Sequence, residues 1–317
     1  MLSIVIPVLD EAETIPELVR RIREGTEELG DLEVIFVNDG STDATASLLW
    51  ELNRDDKRFK SIHMARNFGH QAAILAGLRA ATGDAVVVMD GDLQDAPEVI
   101  PEFVAKWRAG FDVVYAVRSQ RPEGWGKRVA YKAFYRILSA ISESATTLDS
   151  GDFALMDRRV VDILGTMPEQ PRFLRGLRSW IGFRQTGVEV SRGARYAGRP
   201  KYTLRRLTRL AFDGFFAMSH RPLQLASLLG LAVSVGAIGL GAMLVLLKVV
   251  HGIPLLGWTS LMVGTLFLGG IQLICLGILG EYLGRVYEET RGRPPYVIAA
   301  IVGETRAARP RASRTAE

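Results

Sequence analysis

The chain has 317 residues, 39 Lys and Arg against 35 Asp and Glu for a net charge of +4, and 48% hydrophobic residues. That apolar content excludes a disordered chain, the single cysteine, Cys275, excludes a disulfide scaffold or a multi-cysteine metal site, and the small net charge argues against a dedicated nucleic-acid binder. A mean hydropathy of +0.13 beside 23% charged residues points to apolar residues gathered in one place.

In chain order, Leu2–Pro7 (LSIVIP) is a short apolar run closed by proline and reads as a buried strand. No basic segment precedes it and Asp10, Glu11 and Glu13 follow at once, which does not match a signal peptide. Ala12–Leu29 sets Ile15, Leu18, Val19 and Ile22 at helical spacing, and Leu32–Val37 is a second strand ending at Asn38-Asp39-Gly40. Asp43 caps a helix through about Leu52. Phe59–Met64 is a third strand, Gln71–Ala81 a helix and Asp84–Met89 a fourth strand. Pro97 opens the next helix, and Asp112–Val117 is a fifth strand. Such alternation, with near-continuous apolar strands, predicts an α/β fold with a parallel sheet covered on both faces.

Two segments mix basic and apolar residues at helical spacing, Val129–Ile141 and Tyr202–Met218, as helices lying in a lipid headgroup plane do, the alternative being helices packed on the catalytic domain. Arg172, Arg175 and Arg178 make a basic stripe that reads as a solvated face. Leu223–Leu247 and Leu255–Gly280 are 25 and 26 residues without a charge, each long enough to cross a bilayer. Residues 195–221 and 281–317 hold seven Lys or Arg each, while the loop between the spans holds Lys248 alone. Both long flanks are therefore expected in the cytoplasm. Ala237 and Gly241 form a small-xxx-small pair that suits close helix packing. An Arg/Ala-rich tail from Glu304 on reads as disordered.

In parallel α/β sheets ligands bind beyond the carboxyl ends of the strands. The first strand ends at Asp10-Glu11, the second at Asp39 and the fourth at Asp90-Gly91-Asp92, so three acidic clusters are expected to converge on one crevice. Asp90 and Asp92, separated by one glycine after a strand, would point the same way if extended. Carboxylate oxygens suit Mg²⁺ or Mn²⁺ shared with substrate phosphates. An Asp-Gly dipeptide also favours a turn by itself. Gln94 and Asp95 follow as further ligands or supports. Asp39 suits hydrogen bonds from a base or ribose, or a capping role that Asp43 can supply alone. His70, in the loop after the third strand, is placed to line the crevice. There is no P-loop, no G-x-G-x-x-G and no G-x-S-x-G.

Six segments together resemble family 2 glycosyltransferases of GT-A fold, specifically the polyprenyl-phosphate glycosyltransferases. They are Ser3–Glu11, Val37–Asp43, Arg66–Ala72, Met89–Glu98, Ser150–Arg158 and Gly198–Tyr202. The resemblance covers about residues 2–300 and implies a GT-A catalytic domain, Rossmann-like with a mostly parallel sheet, followed by two transmembrane helices. The implied limits are 1–200 for the catalytic domain, 201–221 for a juxtamembrane amphipathic helix, 222–250 and 255–281 for the spans, and 282–317 for a cytoplasmic tail. Pro7, Leu9, Glu11, Asp39 and Asp90 would line the nucleotide pocket. Asp90, Asp92 and Gln94 would hold Mg²⁺ or Mn²⁺ on the diphosphate, and Asp92 and Asp152 would act at the reacting centre. Arg118, Arg121, Arg128, Arg199 and Lys201 would bind phosphates of donor and acceptor. Many relatives carry Ser where this chain has Pro200, which removes a backbone N–H beside Arg199.

The function implied is an inverting transfer of sugar from a nucleotide-sugar, a UDP-sugar such as UDP-glucose, to undecaprenyl or another polyprenyl phosphate. It would take place at the cytoplasmic face of a bacterial inner membrane, by a multi-pass homo-oligomer without a nucleic-acid partner. GDP-mannose-dependent transfer to dolichyl or polyprenyl phosphate, and a non-catalytic nucleotide-sugar-binding membrane subunit, are the alternatives. A processive polysaccharide synthase would normally show Gln-x-x-Arg-Trp, which is absent.

Overall fold

The computed structural model describes residues 1–118, 150–167, 174–190, 221–251 and 257–303. They form two compact units, one holding the described residues up to Val190 and again from Arg293, the other those from Arg221 to Gly292.

The first unit is built on β1 (Leu2–Val8), β2 (Leu32–Asn38), β3 (Phe59–Met64) and β4 (Ala85–Val88), which are mutually parallel in the order β4-β1-β2-β3. Beyond β4 lie β6 (Ser150–Asp157), β5 (Val113–Arg118) and β7 (Gln185–Val190), and beyond β3 lies β8 (Ile298–Val302). The eight-stranded order is β7-β5-β6-β4-β1-β2-β3-β8. β6 runs antiparallel to β4 and β5, and β8 antiparallel to β3, so the sheet is mixed and mostly parallel.

The central strands are apolar at nearly every position because both faces are covered. The period of two then divides each run between two cores. Ile4, Ile6, Val34 and Phe36 pack with Leu18 and Ile22 of α1 (Ile15–Thr26), Leu49 of α2 (Thr45–Asp55) and Phe103 of α4 (Ile100–Arg108). Val5, Ile35 and Val37 pack on the other side with Ile74 of α3 (His70–Ala80), Leu164 of α5 (Arg158–Thr166) and Leu174 of α6 (Leu174–Trp180).

Several elements differ from expectation. α1 starts at Ile15 rather than Ala12, because the Glu11 carbonyl accepts the N–H groups of Thr14 and Ile15 and closes a turn first. Pro97 opens a short 3-10 turn, and the α-helix itself begins at Ile100. The N-cap of α2 is Ala44 rather than Asp43, although Asp43 Oδ1, one residue earlier, accepts the Thr45 N–H at 3.0 Å.

The second unit consists of α7 (Arg221–His251) and α8 (Trp258–Thr290). At 31 and 33 residues they are about 46 and 50 Å long, longer than a hydrocarbon core of about 30 Å. Both contain stretches of mean hydropathy 2.0, long and apolar enough to cross a membrane. Leu231, Ile238, Leu246, Leu273 and Leu283 are all more than half exposed, so these helices carry apolar side chains that the rest of the chain does not cover. The Cys275 thiol approaches the Ala226 carbonyl at 3.7 Å and ties α8 to α7.

The C-terminal segment departs most from the expected layout. α8 runs to Thr290, beyond the limit of 281, and Ile298–Val302 is a strand of the sheet instead of part of a tail. Paired to β3 from Ser61–Val302 to Met64–Ile298, it satisfies an edge that would otherwise expose its backbone groups. The 200/201 boundary and the segments 129–141 and 202–218 lie outside the described residues.

Candidate active site

The carboxyl ends of β1, β2 and β4 stand side by side, because β1 pairs with both others. The loops after β1 and β2 are tied to each other. The Asp10 N–H is donated to Ser41 Oγ at 2.9 Å, and Asp10 Oδ1 accepts the Thr42 N–H at 2.7 Å. The Glu11 N–H meets Thr45 Oγ1 at 3.0 Å and the Ala12 N–H meets Asp43 Oδ2 at 3.1 Å.

Asp39 is buried at 4% exposure. Its two oxygens accept the N–H groups of Phe68 and Gly69 at 2.7 and 3.0 Å. Burial raises its carboxyl above the ordinary value, against the opposing pull of those two bonds. It thus fastens the loop before α3. Gly40 makes the fit possible: its φ is +75°, and an added Cβ would lie 2.6 Å from the backbone of Arg66 and Asn67.

The Asp90-Gly91-Asp92 segment is not the extended strand end that would align two carboxylates. The chain bends after β4, with Leu93 at φ +60°. Asp92 Oδ1 accepts the Gln94 N–H at 3.1 Å and Asp95 Oδ2 accepts the Asp90 N–H at 3.1 Å. The turn tendency of Asp-Gly therefore prevails locally. Gly91 lets the bend lie against β1, since a Cβ there would sit 2.9 Å from Val8 Cγ1.

β6 brings the third carboxylate. Asp90, Gln94, Asp95 and Asp152 line one cleft with Gly151 and Phe153. Asp152, its side chain 13% exposed, faces Arg175 with Nε–Oδ1 and Nη2–Oδ2 distances of 3.3 and 3.1 Å. His70 Nε2 stands 3.6 Å from Asp152 Oδ2 and 3.5 Å from Asp90 Oδ1. Burial alone would raise the Asp152 carboxyl, but His70 and Arg175 outweigh it and hold the group far below the usual carboxylate range. Burial likewise opposes protonation of His70, and the contacts with Asp152 and Asp90 reverse this, so its value is raised. Arg178 is buried at 4% exposure with its guanidinium 5.3 Å from the Tyr115 ring centroid. Burial pushes its value down to about 10.

Arg175 and Arg178 thus contradict the solvated-face reading, Arg175 turning to Asp152 and Arg178 into the core at Tyr115, while Arg172 lies outside the described residues. The charge spacing was visible in the sequence, but nothing local showed which way it faced. Of the expected site residues, Asp90, Gln94 and Asp152 share the cleft. Pro7, Leu9, Glu11 and Asp39 occupy the adjoining strand ends, and Asp92 braces the bend. Arg118 ends β5, while Arg121, Arg128, Arg199 and Lys201 lie outside the described residues. Among the described residues no three His, Cys, Asp or Glu side chains are grouped to enclose a metal. Mg²⁺ is commonly held by one or two carboxylates with substrate phosphates completing its shell, and the oxygen donors of Asp90, Asp92 and Gln94 are of that chemistry.

A mostly parallel sheet with carboxylates at its strand ends, joined by an antiparallel strand bearing another, is the architecture of GT-A glycosyltransferases. The sequence model of Glycosyl transferase family 2 matches residues 3–165, just over half of the 317-residue chain. The chain belongs to that family and is a glycosyltransferase. It is 43% identical over 303 residues to the uncharacterized glycosyltransferase YkcC of Bacillus subtilis, covering 95% of this chain and 94% of that one. It is 42% identical to the prophage bactoprenol glucosyl transferase homolog of Escherichia coli, over 95% of this chain and 99% of that one. The bactoprenol glucosyl transferase of Shigella phage SfX is also 42% identical, with 94% and 98% covered. Among solved structures, glucosyl-3-phosphoglycerate synthase from Mycobacterium tuberculosis shares the fold. In complex with Mn²⁺, UDP and phosphoglyceric acid it has a TM-score of 0.51 at 22% identity, with 68% and 76% of the two chains covered. In complex with Mg²⁺ and UDP the TM-score is 0.51 at 21% identity, with 68% and 77% covered.

Proposed function

We propose that this enzyme transfers a sugar from a UDP-sugar to a polyprenyl phosphate at the cytoplasmic face of the membrane, inverting the anomeric centre. The observation that carries the reading is the end-to-end similarity to bactoprenol glucosyl transferases, which spans the apolar helices as well as the catalytic unit. The topology supports the side: β7 precedes α7 and β8 follows α8 in one sheet. Two crossings return the chain to the side it left, the side where Lys and Arg are concentrated. Ala237 and Gly241 are exposed on α7 and suit self-association within the bilayer.

In this reading Pro7, Leu9, Glu11 and Asp39 shape the nucleotide pocket, and Asp90, Asp92 and Gln94 hold the divalent ion. When bound, Mg²⁺ or Mn²⁺ neutralises charge on the leaving diphosphate. The acceptor phosphate has a second pKa near 6, so it is largely dianionic at neutral pH and needs no strong base. An Asp152 kept ionised by its cationic neighbours fits that acceptor: it orients the nucleophile and stabilises positive charge developing on the sugar. Arg118, Arg121, Arg128, Arg199 and Lys201 then bring two polyanions together, arginine as a bidentate fork and lysine as a point charge.

The test is transfer of labelled sugar by the purified full-length protein with Mg²⁺ or Mn²⁺ onto undecaprenyl phosphate, across UDP- and GDP-sugars. Product from one UDP-sugar is expected. Nucleotide binding without transfer from any donor would refute an enzyme with this acceptor.

A further inference from the structure

We propose that Arg175 is a positioning residue of the transfer reaction, holding the Asp152 carboxylate against the cleft wall in an arrangement that Gln71 keeps in register. This rests on the reading of Asp152 as part of the reacting centre. Four observations carry it.

The guanidinium presents Nε and Nη2 to the two oxygens of Asp152, at 3.3 and 3.1 Å. A planar fork against a planar carboxylate fixes both the direction and the rotation of the acid, which a single contact does not. Arg175 is itself anchored through α6. The Leu174 N–H, at the start of that helix, is donated to Gln71 Oε1 at 3.1 Å. Gln71 Nε2 also stands 3.5 Å from Asp152 Oδ2, so one amide touches both the helix that carries the guanidinium and the acid it holds. His70, the neighbouring residue, reaches from Asp152 to Asp90 and relates the acid to the other side of the cleft. Arg178, one turn further along α6, is buried over the Tyr115 ring and adds a second positive charge that interacts with Asp152.

Arg175 is only partly buried, at 29% side-chain exposure, so it could instead bind a substrate phosphate directly. The two roles differ in what substitution does. A positioning residue acts through Asp152, and its removal costs nothing further once the acid has gone. A phosphate ligand acts independently, and its loss raises KM.

The experiment is a double-mutant cycle in the full-length enzyme: Arg175→Met, Asp152→Asn and both together, with Arg175→Lys as the conservative variant. Donor affinity, measured separately, checks that each is folded. The clamp predicts that Arg175→Met lowers kcat by roughly 10- to 100-fold with KM for both substrates within about twofold, since only an arrangement of the reacting centre is lost. It also predicts partial recovery in Arg175→Lys, and a double variant no slower than Asp152→Asn alone. A kcat within about twofold of wild type, losses that multiply, or a raised KM at constant kcat each overturn the proposal. If Arg175→Met fails to fold, the cycle is run with Arg175→Lys, where a loss that multiplies with Asp152→Asn refutes it equally.

The same cycle is read on donor hydrolysis without acceptor. Wild type that hydrolyses donor but moves nothing to polyprenyl phosphate sinks the acceptor reading, whereas multiplied losses in hydrolysis sink the clamp.

Discussion

Asp39→Asn separates a structural tie from a nucleotide contact. Both carboxylate oxygens accept backbone N–H groups, from Phe68 at 2.7 Å and Gly69 at 3.0 Å, in a site 4% exposed. An amide can keep one acceptance only, and its NH₂ would then face the second N–H, donor to donor. A buried unsatisfied N–H costs about 1–3 kcal/mol, and weakening the remaining bond from charged to neutral costs about 1 more. Burial disfavours the charged form of Asp39, so neutralising it returns part of that cost. The net loss is about 2 kcal/mol, which for a unit of roughly 200 residues lowers Tm by roughly 4–8 °C. Because the tied loop leads directly into His70 and Gln71, donor affinity and kcat should fall with stability. The assay is thermal unfolding of the full-length protein in detergent, beside calorimetric titration with the donor nucleotide. A Tm within about 1 °C of wild type would refute the reasoning that the loop is held by this carboxylate, whatever happened to binding.

Asp92→Ala should abolish metal-dependent turnover while the protein stays folded, with only a small loss of stability from the Gln94 N–H that Asp92 accepts, and EDTA should abolish turnover of the wild-type enzyme; near-normal turnover in the variant would remove Asp92 from the metal set. Phe103→Ala deletes a fully buried ring 4.8 Å from that of Phe153 and should cost about 3–5 kcal/mol in denaturant unfolding. His63 is buried between Asn38, at 3.2 Å, and Ser61, at 2.9 Å, and is stacked on Trp50. Burial lowers its value. The unfolded chain therefore binds more protons than the folded one as pH falls through about 6.5, so stability contributed by the neutral ring is present above that pH and lost below it. Unfolding midpoints at pH 7.5 and 5.5 should differ less in His63→Gln than in wild type; equal slopes would exclude His63 as the source.

Four of the first five strands are legible as apolar runs between turn residues, whereas β3 (FKSIHM) mixes Lys60, Ser61 and His63 with its apolar positions. β6, β7 and β8 carry no comparable local signal. β6 shows in the sequence only as the motif Ser150–Arg158, and β7 (QTGVEV) alternates weakly because it lies at an edge. β8 is five residues beyond a long helix, with nothing local to say it returns to β3. The acidic strand ends were likewise readable, since a carboxylate after a buried strand has few places to go. How Asp90 and Asp92 stand to each other was not, because a bend replaces the extended geometry that spacing implies.

Local pattern by itself determined the α/β class, the two long apolar helices and the identity of the acids at the strand ends. These follow from residue type and periodicity within a dozen or so positions. Only the tertiary structure decided that Asp39 spends its oxygens on a loop, that Arg175 turns to Asp152 and Arg178 into the core at Tyr115, and that the chain after the helices rejoins the sheet. Each of these joins residues at least 23 positions apart, from Asp152–Arg175 to β3–β8. Contacts at such separation depend on how layers pack, and no helical or strand period records which distant partner a side chain will meet.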